Sequence, residues 1–188
     1  MNSRDLAYIA LFAAIIAVLG LLPAIYPVGS AVPITAQTLG VMLAGSVLGA
    51  RRGALAVLTF LAVVAVGVPA LSGGRGGLGV FVSPTAGYLY SWTIAAFVIG
   101  LLTQLTWRRF NLGWALLANV VGGIAVIYAI GIPFVTVYSE TSLTAAAASA
   151  TSFIPFDFIK AGIASVVAVA VAKAYPVIEL PRRRPAAG

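Results

Sequence analysis

An acidic and a basic residue stand three positions apart in an otherwise apolar run near the end of the chain. Asp157 and Lys160 have the spacing i, i+3, which places both side chains on one face of a helix. Ionisable groups at membrane depth are unfavourable unless they face a partner or a cavity. Two interpretations stay open: the charges neutralise each other near the membrane surface, or they bind a polar ligand directly.

A second group of polar side chains begins an apolar run nearer the N-terminus. Gln37 lies between Thr35 and Thr38, so hydroxyls and an amide stand together there. A carboxamide both donates and accepts hydrogen bonds, which suits a ligand that is itself an amide or a urea. The alternative is hydrogen bonding between helices, because Ser, Thr and Gln commonly join the helices of membrane bundles.

The third candidate is a glycine-rich segment at residues 71–83, in which Arg75 is the only charge. It lacks the Lys-Ser/Thr pair of a phosphate-binding loop and joins no soluble strand to a helix, so a nucleotide site is not indicated. Backbone N–H groups at Gly73 and Gly74 would suit a carboxylate. The alternative is a flexible connector or gate.

The composition excludes several kinds of chemistry. The chain has no Cys and no His, which removes thiolate nucleophiles, disulfides and imidazole as a base or metal ligand. Its four acidic residues show no paired catalytic spacing, so the sequence identifies no machinery for an intramembrane enzyme. The net charge of +7 could indicate a nucleic-acid partner. The basic residues lie at the ends of apolar segments, however, which indicates loop charges of a membrane protein and no nucleic-acid ligand.

Apolar helices must position these residues. The 188 residues are 62% hydrophobic and 8% charged, with a mean hydropathy of +1.10, whereas a soluble domain carries about 25% charged residues. Because a membrane span needs about 20 apolar residues, we predict an all-α integral membrane protein, one membrane domain over residues 1–188 with six transmembrane helices in a compact bundle. The predicted spans are about 6–22, 34–49, 53–70, 85–106, 112–134 and 154–175, with a turn at 24–33, a loop with a short surface helix at 136–152 and a disordered tail at 176–188.

The basic residues predict the orientation of the bundle. Nine of the eleven Lys and Arg residues lie before span 1 or after spans 2, 4 and 6, which all fall on one side of a six-span bundle. They are Arg4, Arg51, Arg52, Arg108, Arg109, Lys173, Arg182, Arg183 and Arg184. The positive-inside rule assigns that side, with both termini, to the cytoplasm. The outer half then holds Thr35, Gln37, Arg75, Tyr88, Glu140, Asp157 and Lys160. A polar outer half above an apolar inner half predicts a cup that opens outward, not a continuous pore.

Span 1 carries a stripe of small residues. Ala7, Ala10, Ala14 and Ala17 follow a 3-4-3 spacing. Small residues at this spacing let another helix approach closely. That helix is either a neighbour inside the bundle or a partner subunit that docks on the stripe.

Four segments in order resemble the biotin-specific S components of energy-coupling factor transporters, the BioY family. They are VPITAQTLGVMLAG (32–45), GGRGGLGVFVSPTAGYL (73–89), VIYAIGIPF (126–134) and IPFDFIKA (154–161). The P-x-T-x-Q, P-T-x-G-Y-L and P-x-D-x-x-K elements are specific in combination and weak individually. Phe156 and Ser83 stand where the family commonly has glycine, and both departures bear on the pocket rim.

The resemblance implies capture of biotin from outside a prokaryotic cell membrane, with no ATP site, cofactor or metal on this chain. Energy would come from a transmembrane T component and two ATPases, with the T component docked on the span 1 stripe and the whole S component toppling to release its ligand. Asp157 would accept the ureido N–H groups, Lys160 or Gln37 would donate to the ureido oxygen, and Tyr88 would pack on the ring. Arg75 or loop N–H groups would bind the valerate carboxylate. The alternatives are an S component for another vitamin, a small intramembrane enzyme, and an assembly subunit without a ligand.

Overall fold

Helices account for most of the chain. The computed structural model describes residues 1–25 and 33–178. Within them the helices are α1 (Ser3–Gly20), α2 (Gln37–Leu48), α3 (Ala50–Ala65), α4 (Ala86–Thr106), α5 (Leu112–Val120), α6 (Ile127–Tyr138), α7 (Leu143–Ala150) and α8 (Ile154–Ala174). A 3₁₀ turn extends α4 to Arg109, a π-helical turn joins α5 to α6, and another 3₁₀ turn joins α7 to α8. The described residues therefore form six main helical segments, and a separate 3₁₀ helix, Leu78–Val82, lies in the loop before α4.

Four of the six segments are long and apolar enough to cross a membrane. They are Ser3–Gly20, Ala86–Arg109, Leu112–Tyr138 and Leu143–Ala174. The other two, α2 and α3, have 12 and 16 residues, and each is shorter than the roughly 30 Å of a bilayer core at 1.5 Å per residue. The predicted all-α membrane fold is confirmed.

The boundary between the second and third spans differs from the prediction. We expected Arg51 and Arg52 to separate the two spans, with the third at 53–70, but both arginines lie in the first turn of α3. Gly49 has φ of 82°, a left-handed conformation that favours glycine and that lets the chain turn at once from α2 into α3. The helix ends before Gly67, whose φ is 106°.

The fifth span continues beyond its predicted end at residue 134. Pro133 lies inside α6, which runs on to Tyr138. The predicted loop at 136–152 is shorter than expected, and it carries the expected short helix as α7.

The π-helical turn between α5 and α6 packs closely on two neighbouring helices. A Cβ on Gly122 would lie 2.3 Å from Cγ1 of Ile99, and a Cβ on Gly123 would lie 2.5 Å from Cε of Met42. Only glycine leaves room for these contacts, so the turn is held against α2 and α4.

One end of the bundle is tied together by Arg52. Its Nη1 donates to Oδ1 of Asp5 at 3.2 Å, its Nη2 to the carbonyl of Val177 at 2.8 Å, and its Nε to the carbonyl of Leu48 at 3.2 Å. Asp5 also completes the N-terminal capping box of α1 with Asn2. The N-terminus, the turn between α2 and α3, and the segment after α8 therefore meet at this end.

Six of the eight basic residues of the described chain gather at this same end, as the sequence predicts, and Arg75 and Lys160 are the two exceptions. Arg108 and Arg109 close α4 there, and Lys173 lies in the last turn of α8. Which membrane face this end occupies stays a prediction.

The predicted tail at 176–188 is corrected at its start, because residues 176–178 pack on the bundle and Ile178 is buried. Residues 179–188, with Arg182 to Arg184, lie outside the described residues. Of the turn predicted at 24–33, residues 26–32 lie outside them too, and Ile25 and Ile34 pair at its base through two backbone hydrogen bonds.

Candidate ligand-binding site

A cavity opens at the end of the bundle opposite Arg52, between α2, α4, α6, α8 and the loop before α4. The empty space between its walls, with the solvent-filled mouth included, is about 590 Å³. Its lining consists of Pro33, Ile34, Thr35, Gln37, Thr38, Leu71, Arg75, Thr85, Tyr88, Leu89, Trp92, Ile127, Tyr128, Phe153, Asp157 and Lys160. Six residues predicted to bind a ligand therefore come together here: Thr35, Gln37, Arg75, Tyr88, Asp157 and Lys160.

The polar side of the cavity is centred on the carboxylate of Asp157, which lies in the first turn of α8 and is buried. Nζ of Lys160 lies 2.7 Å from its Oδ1, so the predicted sharing of one helix face is confirmed. The hydroxyl of Tyr128, on α6, donates to its Oδ2 at 2.5 Å. Among residues 1–25 and 33–178 each carboxylate oxygen thus has one partner and keeps a lone pair that can accept from a ligand.

Lys160 likewise keeps hydrogen-bonding capacity for a ligand. Its ammonium group donates to Asp157 and, at 2.9 Å, to Oγ1 of Thr38 on α2. An ammonium group has three donors, so among the described residues one of its N–H groups is left for a ligand. The cluster as a whole can accept from N–H groups and donate to an oxygen.

Aromatic and aliphatic side chains form the apolar part of the lining. Trp92 and Tyr88 are both largely buried and line the cavity. Tyr88 packs against the backbone of α6 at Gly131, where a Cβ would lie 2.5 Å from Cε1 of the Tyr88 ring. The apolar wall is therefore shaped by a glycine that is itself outside the lining.

Arg75 supplies a positive charge from the loop before α4. Its Nε donates to the carbonyl of Ser72 at 3.3 Å and its Nη1 lies 3.5 Å from Oγ1 of Thr85. Ser83 contacts the same Thr85 hydroxyl at 3.0 Å. The guanidinium is held at the cavity wall by these contacts, and among the described residues it is paired with no carboxylate.

The side chain of Gln37 forms hydrogen bonds within the protein. Its amide nitrogen donates to the carbonyls of Ile16 at 3.3 Å and Ala70 at 3.1 Å, and its amide oxygen accepts from the N–H of Ser72 at 3.0 Å. Both amide protons are used, so the alternative of hydrogen bonding between elements describes this residue better than donation to a ligand. Gln37 ties α1 and α2 to the loop that holds Arg75.

Gly73 and Gly74 do not line the cavity, and the binding of a carboxylate by their N–H groups stays a prediction, although the N–H of Gly74 already has a partner. Its N–H donates to the carbonyl of Leu71 at 3.0 Å. The two glycines have φ of 80° and 70°, which lets the chain reverse tightly between Leu71 and Arg75. They position the loop that carries Arg75.

The two departures from the family pattern differ in their surroundings. Phe156 is 40% exposed and is not part of the lining. The hydroxyl of Ser83 donates to the carbonyl of Val80 at 2.7 Å, so this serine bridges the loop to the Thr85 hydroxyl near Arg75.

The small-residue stripe faces outward over most of its length. Ala7, Ala10 and Ala14 are exposed, and Ala17 is half-buried against the core. The face of α1 that packs inside carries Ile9, Ala13 and Ile16 instead. Internal packing therefore does not account for the first three alanines.

Comparisons with known proteins agree over the whole fold. The sequence model of the BioY family matches residues 1–177. The biotin transporter BioY of Rhizobium etli is 50% identical over 186 residues, 95% of this chain and 98% of the relative, and that of Rhodobacter capsulatus is 48% identical over 92% and 95%. The crystal structure of an S-component for biotin from an ECF-type ABC transporter matches with a TM-score of 0.88 and 30% identity, over 94% of this chain and 97% of that one. The matched region includes every helix described above.

Proposed function

The chain belongs to the BioY family, and we propose that it is the biotin-binding, substrate-capture subunit of a vitamin uptake transporter. It is a multi-pass membrane protein and not an enzyme, and its place is the cell membrane of a prokaryote. The observation that carries the proposal is the cavity in which one carboxylate, one ammonium group and one phenol converge beside an aromatic wall.

The ureido ring of biotin matches the polar side of this cavity. The ring offers two N–H donors and one carbonyl acceptor, and Asp157 has free lone pairs while Lys160 has a free N–H. Asp157 accepts from the ring N–H groups and Lys160 donates to the ring oxygen. Tyr128 orients the carboxylate through its hydrogen bond to Oδ2.

The remaining parts of biotin match the rest of the cavity. The thiophane ring and the aliphatic chain pack on Tyr88 and Trp92, which are aromatic and buried. The valerate carboxylate pairs with Arg75, because a guanidinium binds a carboxylate through parallel charge-assisted hydrogen bonds. Thr35 contributes a hydroxyl to the mouth, and Gln37 holds the loop in place.

The direct test is calorimetry of the purified chain with biotin, with riboflavin and thiamine as the other vitamins. We expect binding of biotin alone. Biotinamide, which lacks the carboxylate charge, should bind more weakly by roughly 10–150-fold, the value of one hydrogen bond to a charged group. Arg75→Gln should remove that preference, whereas Arg108→Gln, at the other end of the bundle, should keep it. Binding of another vitamin in place of biotin would overturn the substrate assignment.

A T component and ATPase subunits supply the energy in this proposal, and the exposed stripe of α1 is the docking surface. Ala10→Leu with Ala14→Leu should leave biotin binding intact and abolish copurification with a T component, because bulky side chains keep two helices apart. Ala145→Leu with Ala148→Leu, two exposed alanines of α7, is the matched control and should copurify normally. Loss of biotin binding in the α1 variant would show that the stripe is core, since overpacking a core is destabilising by about 1–3 kcal/mol.

A further inference from the structure

A second cavity lies at the basic end of the bundle, far from the biotin site. It is bounded by the N-terminal segment, the starts of α1 and α3, α4, and the segment after α8, and encloses about 1,140 Å³ with its open mouth. Arg4, Arg51 and Arg52 line it, and Asp5 is its acidic residue among the described lining. The charges in its wall are therefore mostly positive.

Both carboxylate oxygens of Asp5 already accept hydrogen bonds from the protein. Oδ1 of Asp5 accepts from Arg52 at 3.2 Å and its Oδ2 accepts from the N–H of Asn2 at 3.1 Å. Each of the three side-chain nitrogens of Arg52 donates to a protein oxygen, of Leu48, Asp5 or Val177, so this arginine is held in the wall of the cavity. Arg4 and Arg51 are exposed, and among residues 1–25 and 33–178 neither takes part in an ion pair or a side-chain hydrogen bond.

The rest of the lining suits a ligand that is polar at one end and apolar at the other. Leu48 and Leu55 provide apolar surface, and Tyr8 and Tyr175 provide amphipathic rings of the kind that lie at the level of lipid headgroups. The cavity lies where the membrane helices end. Basic pockets between membrane helices at such a level bind the phosphates of lipid headgroups.

We propose that this cavity binds the phosphate of an anionic phospholipid, with Arg4 and Arg51 as its two ligands. A guanidinium forms two parallel hydrogen bonds with a phosphate, and a net negative headgroup provides the counter-charge that the described residues lack. The lipid chains lie along the apolar surface of the neighbouring helices. This role is separate from biotin capture.

The test is native mass spectrometry of the full chain in detergent with equal amounts of phosphatidylglycerol and phosphatidylcholine. The wild-type chain should retain phosphatidylglycerol with a preference of about 30-fold, from two arginines near the membrane surface. Arg4→Gln with Arg51→Gln should lose the preference. Arg108→Gln with Arg109→Gln removes the same charge at the same end outside the cavity and should keep it. The thermal unfolding midpoint and biotin binding of each variant establish that it is folded.

Three outcomes would overturn the proposal. An equal loss of preference in both double variants would assign it to general charge attraction. Displacement of phosphatidylglycerol by excess inorganic phosphate would make the free ion the ligand. A preference that emerges only in Glu179→Gln would show that the chain's own carboxylate, two positions after Val177, takes the place of the lipid.

Discussion

The pair formed by Asp157 and Lys160 has two possible roles, mutual neutralisation and ligand binding, which a double substitution separates. Asp157→Asn and Lys160→Met each remove one charge and retain most of the side-chain volume. The side chains are 7% and 13% exposed, with Nζ to Oδ1 at 2.7 Å, so each single variant leaves an uncompensated charge in a nearly buried place. Loss of one partner from a buried pair lowers the free energy of unfolding by about 3–5 kcal/mol.

The double variant removes both charges, so no buried charge is left without a partner. Its free energy of unfolding should therefore recover most of what either single variant loses. Its biotin affinity should not recover, because the ligand loses a charge-assisted acceptor and donor. One hydrogen bond to a charged group contributes about 1.5–3 kcal/mol, which corresponds to roughly 10–150-fold in affinity.

The two quantities are measured by thermal unfolding of the detergent-solubilised chain without ligand and by biotin calorimetry. Asp5→Asn is the matched control, because it breaks the ion pair with Arg52 at the opposite end and should leave biotin affinity unchanged. Wild-type biotin affinity in the double variant would refute the assignment and leave neutralisation as the sole role of the pair.

Three further predictions follow from the surroundings of the site. Gln37→Leu removes three hydrogen bonds to α1 and the loop, so the biotin affinity measured by calorimetry should fall although no ligand contact is removed directly. An unchanged affinity would mean that the loop keeps its conformation without Gln37. Gly131→Ala should displace the Tyr88 ring, 2.5 Å from the new Cβ, and weaken binding, whereas Gly162→Ala, with nothing within 4 Å, should not. In vesicles sorted so that the basic end faces inward, external biotin should bind at once, and equal access from the lumen would contradict a cup that opens at one end.

The helices could be predicted because a membrane-spanning helix needs a long apolar segment, and in this sequence the apolar segments end at charged or turn-forming residues. The predicted helix boundaries are wrong where the backbone conformation of a single residue decides the end of a helix. Arg51 and Arg52 interrupt the hydropathy, but the turn between α2 and α3 is made two residues before Arg51, by Gly49 with its left-handed φ of 82°. Pro133 indicates a helix end, yet α6 continues through it to Tyr138.

The charged residues of the site could be predicted because each stands alone in an apolar surrounding. Tyr128 could not, since an aromatic residue in an apolar run is typical of a lipid-facing or packed position. Its partner Asp157 is 29 positions away, on another helix. The π-helical turn that ends at Val126 changes the helical phase before Tyr128, so regular α-helical periodicity gives the wrong face. The motif VIYAIGIPF is the signal that the sequence offers.

Gln37 shows why tertiary contacts decide between interpretations that a sequence leaves open. Its position at the start of α2 was predicted, and an amide there suits a ligand and a neighbouring helix equally well. Its partners, the carbonyl of Ala70 and the N–H of Ser72, belong to a glycine-rich loop. The path of such a loop depends on φ values that glycine leaves free, so residue types alone cannot place those two groups beside the amide.

The interior next to the cavity contains a hydrogen-bonded polar cluster that opposes passage of a ligand through the bundle. Further along α8, Ser165 joins Asn119 and Ser46 in a buried cluster, with Asn119 Nδ2 3.0 Å from Oγ of Ser165 and Oδ1 3.0 Å from Oγ of Ser46. Ser165 in turn donates to the carbonyl of Ala161 at 2.6 Å, and the second N–H of Asn119 to that of Ala115 at 3.0 Å. Every side-chain donor of the cluster thus has a partner. Passage of a polar ring between these helices would leave such groups unsatisfied, at a free-energy cost of about 1–3 kcal/mol each. Among the described residues these hydrogen bonds therefore oppose passage of a polar ligand between α2, α5 and α8, and the proposed delivery by partner subunits would have to move the whole chain or open its helices.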